Sequence, residues 1–398
     1  MDQHYRRLEL LPANGRMGTW RLNLVPGNII SPAQKNKYIF KAHIKKIKTL
    51  KSFLWVLLLT GVVSLHAQVV APVWPIEKAN SWYANHKWLS GADYIPSNAI
   101  NQLEMWQAET FDPATIDKEL GWAESIGFNT MRVFLHSIAW KQDPTGFKKR
   151  MDQFLTISAK HKIEPMFVFF DDCWNKVPKP GKQPEPQTGI HNSGWMQDPG
   201  QPASGNPANF PELEKYVTDV MRSFAHDKRI LLWDLYNEPG NSGKKDSSLN
   251  LLQNVFKWAR AVNPDQPISA GLWDWSFETL NAFQALNSDI ITYHNYDEPD
   301  KHLRVIQLLK AFGRPLICTE YMARIRNSRF ANVMPLLKKE KVGAINWGFV
   351  SGKTNTIYAW DTPMKDGTQP IEWFHDIFFA DGKPYRADEV ELIRKLNK

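Results

Sequence analysis

Short apolar runs alternate with longer amphipathic stretches along most of the chain. The apolar runs contain few polar positions, which is typical of parallel strands that are buried on both faces. The stretches between them repeat apolar residues at helical spacing. We predict eight strands, over 89–96, 128–135, 163–170, 229–236, 267–273, 289–294, 315–320 and 343–349. We predict helices between them over 113–126, 148–161, 211–226, 247–262, 302–312 and 329–340.

This alternation predicts the fold. Strand–helix–strand units imply parallel strands joined by right-handed crossovers. Eight such units match a single (β/α)8 barrel, which usually has about 250 residues. An open doubly wound sheet is the alternative, but no GxGxxG motif follows the first predicted strand. We therefore expect residues 68–398 to form one (β/α)8 domain.

One connection differs from the others. Residues 172–210 form a long loop after the third predicted strand, and the loop is rich in Pro, Gly and Asn. Loops of this length without regular structure are usually functional or disordered. This one carries Trp174, His191 and Trp195. We expect it to form a wall that covers the substrate, and a mobile insertion is the alternative.

Residues 1–67 differ in charge from the rest of the chain. They hold 11 basic residues (Lys and Arg) but only 2 acidic residues (Asp and Glu). The whole chain holds 49 basic and 41 acidic residues and has a net charge of +8. The basic excess therefore belongs to this leader, and residues 68–398 are nearly neutral. A nucleic-acid partner is not indicated, because its usual basic surface is missing from the predicted domain.

The leader resembles an export signal. A basic stretch over 41–51 precedes an apolar run over 53–65, and Ala67 offers a small residue at the cut. This order describes a secretory signal peptide over 41–67. An uncleaved membrane anchor is the alternative, although spanning a bilayer takes about 20 apolar residues. We expect a secreted or periplasmic protein without stable membrane insertion. Residues 1–40 show no motif and no periodic pattern, which a start codon placed too far upstream would explain. We therefore exclude them from the predicted fold.

Two glutamates carry the candidate chemistry. Reactive residues of a (β/α)8 barrel lie at the C-terminal ends of its strands. Glu238 and Glu320 follow the fourth and seventh predicted strands, which face each other across the barrel mouth. Paired carboxylates suit glycoside hydrolysis, in which one acid protonates the leaving oxygen while the other attacks the anomeric carbon or activates water.

Polar and aromatic residues at the other strand ends complete the candidate site. Asn237 is placed to donate to a sugar hydroxyl, and Arg132 and Tyr296 are placed to keep Glu320 ionised. Trp347 offers a flat face on which a sugar can stack. The predicted substrate-binding residues are Arg132, Asp171, Asp172, Trp174, Trp195, Asn237, His294, Tyr296 and Trp347.

Four motifs carry a resemblance to a known group of enzymes. LYNEPGN at 235–241 resembles the acid/base signature of clan A glycoside hydrolases, and PLICTEYMAR at 315–324 resembles their nucleophile strand. HNY at 294–296 and Trp347 resemble the family 5, cellulase-like members. The resemblance implies a retaining β-glycosidase that acts by double displacement, with Glu238 as acid/base and Glu320 as nucleophile. It implies a carbohydrate substrate, a β-mannoside, β-glucoside or β-xyloside, and no cofactor.

The chain departs from the family pattern after the third predicted strand. Family 5 members commonly have a His there, where this chain has Asp171, Asp172, Cys173 and Trp174. The departure leaves two alternatives, family 5 itself or a related but separate family. Asp171 and Asp172 either accept hydroxyl hydrogens of the reacting sugar or form a turn.

Two other functions compete with hydrolysis by a carboxylate pair. A non-catalytic carbohydrate-binding barrel would normally have lost one glutamate, and both are present. A metal-dependent hydrolase of this fold typically begins with an H-x-H on the first strand, which here reads GADYIP. Cys173 and Cys318 lie far apart and show no metal-binding spacing, so we interpret both as small buried hydrophobic residues and expect no metal. We expect a monomer.

Overall fold

A computed structural model describes residues 71–398 of the chain. Its parallel strands follow one another around a barrel. Their hydrogen-bonded order is β5-β4-β3-β2-β1-β8-β7-β6. A bridge between Leu272 and Tyr293 joins the two ends, so that the (β/α)8 barrel closes. The strands are β1 Ser90–Tyr94, β2 Thr130–Phe134, β3 Met166–Asp171, β4 Leu232–Asn237, β5 Ile268–Ser269, β6 Ile291–His294, β7 Leu316–Glu320 and β8 Gly343–Asn346. All eight predicted strands are confirmed.

Helices cover the outside of the barrel. The helices are α1 Ile76–Ala84, α2 Gln102–Trp106, α3 Pro113–Ser125, α4 Ser137–Gln142, α5 Pro144–Lys160, α6 Phe210–Phe224, α7 Leu249–Val262, α8 Glu278–Asn287, α9 Pro299–Lys310, α10 Val333–Lys339 and α11 Ala387–Asn397. The six predicted helices are present, and five helices were not predicted, namely α1, α2, α4, α8 and α11. Two of these, α2 and α4, have only five and six residues, too few to show a helical period.

Local sequence signals explain where two of the longer helices begin. Asp112 precedes α3, and its carboxylate accepts hydrogen bonds from the backbone N–H groups of Ala114 and Thr115. Asp143 caps α5 in the same way through Gly146 N–H. Each helix has Pro at its first position, where the missing N–H is not needed. These caps satisfy N–H groups that have no partner inside the helix.

Apolar side chains fill the lower part of the barrel. Met166, Leu232, Ile317 and Ile345, contributed by four different strands, belong to one buried cluster. Every strand residue is buried, as expected for strands with helices on one side and the barrel interior on the other. The packed interior leaves the C-terminal ends of the strands as the place for polar chemistry.

The loop over 172–210 is part of the folded structure. Its backbone pairs with β3 through a bridge between Asp171 and Asp198, and Asn175 pairs with Met196 inside the loop. Two short 3₁₀ turns, Ala203–Gly205 and Pro207–Asn209, lead from it into α6. These contacts support the expected wall rather than the mobile insertion.

The predicted signal peptide at 41–67 lies outside the described residues, and so does the segment 1–40. Within residues 71–398 we find no helix with the length and apolar character needed to cross a membrane.

Candidate active site

Arg132 on β2 organises a hydrogen-bond network at the C-terminal end of the barrel. Its guanidinium is fully buried and donates to Asp93 on β1 and to Asp234 on β4, at 2.8 Å in each case. It also donates to Glu320 on β7 at 3.0 Å and to the amide oxygen of Asn237 on β4 at 2.7 Å. Because a guanidinium is planar and rigid, side chains from three other strands are fixed around it.

Glu320 is held by two donors. One carboxylate oxygen accepts from Arg132, and the other accepts from the Tyr296 hydroxyl at 2.7 Å. Both contacts favour the ionised form of a carboxylic acid. The side chain is buried, yet it reaches the surface of the central cavity. These are the contacts expected for Arg132 and Tyr296 from the sequence.

Glu238 has different neighbours. Its Oε1 lies 2.9 Å from His294 Nδ1, and its Oε2 accepts from the Cys173 thiol at 3.1 Å and from the Asn241 amide. Its backbone φ of 44° lies in the left-handed region, which costs a non-glycine residue energy and is common at functional sites. No hydrogen bond from an arginine or lysine reaches this carboxyl group among the described residues.

The two glutamates lie close together. Side-chain atoms of Glu238, His294 and Glu320 are all within 4.8 Å of one another. Retaining glycosidases hold their two carboxyl groups about 5–5.5 Å apart, whereas inverting enzymes separate them by about 6.5–9.5 Å. The close spacing therefore fits a retaining enzyme.

The surroundings divide the roles of the two carboxyl groups. Burial raises the pKa of Glu238 and of Glu320. At Glu320 the Arg132 charge and the Tyr296 hydrogen bond oppose this rise in pKa. Glu238 is bonded instead to weaker donors, the Cys173 thiol and the Asn241 amide, so its surroundings favour the protonated form more than those of Glu320 do.

A cavity of about 550 Å³ lies over the glutamates. Trp174 stands at its rim with 39% of its surface exposed, whereas Trp195 and Trp347 are buried deeper and pack edge to face at 5.5 Å. Such flat aromatic surfaces suit sugar rings. The cavity is lined by Cys173, Trp174, His191, Asn192, Trp195, Asn237, Glu238, Asn241, Ser242, Trp273, Tyr296, Glu320, Trp347 and Trp360.

Residues 124–351, more than half of the chain, match the family described as cellulase (glycosyl hydrolase family 5). The chain belongs to glycosyl hydrolase family 5. The protein is therefore a retaining β-glycoside hydrolase, and the resemblance seen in the sequence motifs is confirmed. Of the two alternatives left by the residues after β3, family 5 itself is therefore the correct one. Comparison with curated protein sequences finds no match.

Solved structures share the family 5 fold with this chain. An endo-β-1,4-mannanase from Thermotoga petrophila superposes with a TM-score of 0.52 at 13% identity, over 79% of this chain and 77% of its own. An exo-β-1,4-mannosidase from Opitutaceae bacterium strain TAV5 superposes with a TM-score of 0.52 at 17% identity, over 78% of this chain and 59% of its own. GH5_18 from Streptomyces cattleya, in complex with GlcNAc, superposes with a TM-score of 0.54 at 12% identity, over 78% of this chain and 80% of its own.

Four predicted site residues lie behind the cavity wall of this family 5 protein. They are Arg132, Asp171, Asp172 and His294, which do not line the cavity although the other seven predicted residues do. His294 contacts both glutamates, at 2.9 Å from Glu238 and 3.5 Å from Glu320. Burial lowers the pKa of His294 to about 4, so its ring is neutral at pH 7. The structure thus places His294 as a support between the carboxyl groups.

Asp171 supports the site from below. Its carboxylate accepts from Asn237 at 2.9 Å and from the Trp195 indole at 2.7 Å. Burial raises the pKa of Asp171 to about 6. Because its oxygens are already engaged by protein donors, this placement does not support the direct sugar contact expected from the sequence. Asp171, one of the residues that depart from the family pattern, instead fixes the Asn237 amide and the Trp195 ring, both of which line the cavity.

Asp172 fastens the loop that follows Glu238. It accepts hydrogen bonds from the Tyr236 hydroxyl and the Gly240 N–H, both at 2.8 Å, and from Ser248 and the Lys244 ammonium. Asp172 is fully buried and Lys244 nearly so. The expected sugar contact of Asp172 is not supported either, since the side chain holds the backbone from which Glu238 projects.

Asp172→Ala is expected to lower the free energy of unfolding by about 3–5 kcal/mol, because it leaves the Lys244 charge buried without its partner. Thermal and denaturant unfolding measure the change. Asp388→Ala is the matched control, because it removes a carboxylate from the exposed Arg386 pair, and such pairs contribute about 1 kcal/mol or less. Equal losses in the two variants would contradict the role given to Asp172.

Cys173 contributes more than the buried apolar volume expected from the sequence. It is free and buried, as is Cys318, but its sulfur lies 3.1 Å from Glu238 Oε2 and 3.3 Å from the Asn237 amide nitrogen. A thiol is a weak hydrogen-bond donor. Its contact lowers the pKa of Glu238, against the larger rise caused by burial.

Cys173→Ala is expected to raise the pKa of Glu238, because it removes a hydrogen bond that stabilises the ionised carboxylate by about 1 kcal/mol. An acid that must be protonated loses activity as the pH rises through its pKa. The alkaline limb of the kcat/KM profile should therefore move to higher pH. Cys318→Ala is the control and should leave the limb in place, because the Cys318 thiol donates to the Glu320 backbone oxygen at 3.3 Å and not to the Glu238 carboxyl group. An unmoved limb in Cys173→Ala would contradict the contact.

Among the described residues, Glu238, His294 and Glu320 form a group that is close enough to hold a metal ion. Two observations disfavour that use. Arg132 and Tyr296 each occupy an oxygen of Glu320, and His294 Nδ1 is hydrogen-bonded to Glu238. A cation bound here would have to displace these hydrogen bonds and would lie close to the Arg132 charge. The arrangement suits proton transfer better than cation binding.

Several residues of the site could not be predicted from the sequence. Asp93 and Asp234 anchor Arg132, yet as single carboxylates inside apolar strands they gave no motif. Asn241 reaches Glu238 through a loop whose path the sequence does not reveal. Trp273 and Trp360 line the cavity, and residue type alone does not decide whether a Trp stacks on a ligand or packs in the core.

Proposed function

We propose that this family 5 protein hydrolyses β-mannosidic bonds by double displacement. Glu238 protonates the glycosidic oxygen while Glu320 attacks the anomeric carbon, which forms a covalent glycosyl-enzyme and releases the leaving group. Glu238, now ionised, then takes a proton from the water that hydrolyses this intermediate. The observation that carries the proposal is the meeting of the two carboxyl groups within 4.8 Å beneath one cavity.

The neighbours of each glutamate support these roles. Arg132 and Tyr296 stabilise a negative charge on Glu320, which a nucleophile requires. Glu238 lies in surroundings that favour its protonated form, which an acid requires. Asn237 lines the cavity beside Glu238. One of its amide hydrogens bonds to Asp171, and the other, which faces only the weakly accepting Cys173 sulfur, is placed to donate to the hydroxyl next to the reacting carbon. Hydrogen bonds there strengthen as charge develops on the sugar.

Mannose is proposed because of the similar structures. The Thermotoga petrophila protein is an endo-β-1,4-mannanase and the Opitutaceae protein an exo-β-1,4-mannosidase. A GH5_18 variant from Streptomyces cattleya was solved with Manβ1-4GlcNAc. Their folds match this one at low identity, so the sugar must be tested directly.

A panel of aryl β-mannoside, β-glucoside and β-xyloside, together with soluble mannan, glucan and xylan, tests the substrate. We expect the highest kcat/KM for the β-mannoside. The Glu320→Gln protein, purified in the same way, is the control for contaminating glycosidases and should be inactive on all of them. A tenfold preference for the β-glucoside or the β-xyloside would contradict the proposed sugar.

We also propose that the protein is exported. The supporting observation is the basic and apolar order of residues 41–67. The first residue of the exported protein, determined by mass spectrometry, is expected to be Gln68. A full-length chain retained in the cells would contradict this proposal.

A further inference from the structure

We propose that the enzyme acts from the non-reducing end of its substrate, because two long loops join over one half of the barrel mouth. The inference rests on the proposed glycosidase function and deepens it. The two loops are the β3 loop, residues 172–210, and the β8 loop, residues 347–386. We call the part of the mouth above β8, β1, β2 and β3 the closed half, and the part above β4 and β5 the open half; the β8 loop also reaches Tyr296, which follows β6.

The β3 loop crosses the closed half and is fastened there. The Asn101 amide, next to α2, donates to the Gly194 carbonyl at 2.8 Å. Gln107 donates to the Gly181 carbonyl at 2.9 Å and accepts from the Gly181 N–H. A Cβ at Gly194 would lie 2.4 Å from Cδ1 of Ile100, so the loop backbone packs directly on that side chain. The loop therefore lies tightly on the segment that follows β1.

The two loops then bond to each other. Asn192 N–H donates to the Thr354 carbonyl at 2.8 Å, and Met364 N–H donates to the Gly189 carbonyl at 2.9 Å. Gly189 has a φ of 65°, and a Cβ there would meet the Met364 carbonyl at 1.8 Å. His191 Nδ1 lies 2.8 Å from the Tyr358 carbonyl. The contact is thus made by backbone groups at several points, and its close approach depends on glycine.

The joined loops form the inner wall of the cavity. His191 and Asn192 from the β3 loop line it, together with Trp347 and Trp360 from the β8 loop. Trp360 packs edge to face on Tyr296 at 4.9 Å, beside the hydroxyl that binds Glu320. This end of the cavity is therefore walled next to the nucleophile.

The position of the acid gives the direction in which the substrate lies. Glu238 follows β4, and its cavity neighbours Asn241, Ser242 and Trp273 belong to the loops after β4 and β5. A leaving group departs on the side of the acid that protonates its oxygen. The leaving part of the substrate therefore occupies the open half, and the sugar that Glu320 attacks points its non-reducing end at the joined loops. A polysaccharide chain that continued beyond this sugar would meet the wall.

Blocked oligosaccharides test the inference on the wild-type enzyme. Mannohexaose with a free non-reducing end is compared with mannohexaose that carries a 4,6-O-benzylidene acetal at that end. We expect mannose as the first product of the free hexaose and at least a hundredfold slower cleavage of the blocked one. Cleavage of both at similar rates, with internal fragments appearing first, would overturn the inference.

The same pair made from cellohexaose separates this inference from the proposed sugar. If only the cellohexaoses are cleaved, the β-mannoside proposal is wrong, while the end preference is still read from the free and blocked forms. Release of glucose from the free form alone would support action from the non-reducing end, and cleavage of the blocked form would overturn it.

A variant of the wall assigns the preference to the joined loops. Trp360→Ala is expected to raise the ratio of blocked to free cleavage at least tenfold, because it removes a ring from the closed end. Trp273→Ala, in the open half, is the matched control and should leave that ratio unchanged. Melting temperatures show whether each variant folds. An unchanged ratio in a folded Trp360→Ala protein would overturn the role of the wall.

Discussion

Glu320→Gln is expected to lower kcat by about 10⁴-fold or more, since it removes the atom that forms the covalent bond to the sugar. The amide retains the shape of the side chain, and Arg132 still binds Asp93 and Asp234, so the fold should survive. Initial rates with an aryl glycoside measure the effect, and equilibrium binding of the sugar should persist.

Glu212→Gln is the control for the same change of charge. This residue lies on the exposed surface of α6, paired with Lys141, and its replacement should leave kcat within twofold. Wild-type turnover in Glu320→Gln would remove Glu320 as the nucleophile.

Glu238→Ala is expected to lower kcat/KM by about 10²–10⁴-fold for substrates with poor leaving groups, which need protonation as the bond breaks. Substrates with activated aryl leaving groups need less help in that first step, so their glycosyl-enzyme should accumulate. Azide, which attacks without a general base, should then restore turnover and yield a β-glycosyl azide.

The sensitivity to leaving group and the rescue by azide distinguish loss of the acid from general damage to the site. Glu320→Gln, which lacks the nucleophile, is the matched control and should give no β-glycosyl azide. An α-glycosyl azide from Glu238→Ala, or equal losses for good and poor leaving groups, would contradict the assignment of Glu238.

The barrel could be predicted from the sequence because each strand is nearly continuous in apolar residues. Strands of this kind are buried on both faces in a parallel barrel, and all of them occur where the apolar runs predicted them. Short helices such as α2 and α4 could not be predicted, because they complete fewer than two helical turns.

The pairing of Glu238 and Glu320 could also be predicted from the sequence, since strand order places them across one barrel mouth. The roles of the residues around them were harder to predict. Whether Asp171 and Asp172 face a sugar or the protein depends on the path of the loops after β3 and β4. Those loops include left-handed residues such as Trp174 and Glu238, and residue type alone does not specify that conformation outside glycine.

The most direct test of the account is to trap the covalent intermediate. A 2-deoxy-2-fluoro-β-glycosyl fluoride of the preferred sugar forms the glycosyl-enzyme and slows its hydrolysis. Digestion and mass spectrometry should then locate one added sugar on Glu320, and pretreated enzyme should regain activity as the adduct turns over. A sugar found on Glu238, or steady hydrolysis of the fluoride without any adduct, would contradict double displacement through Glu320.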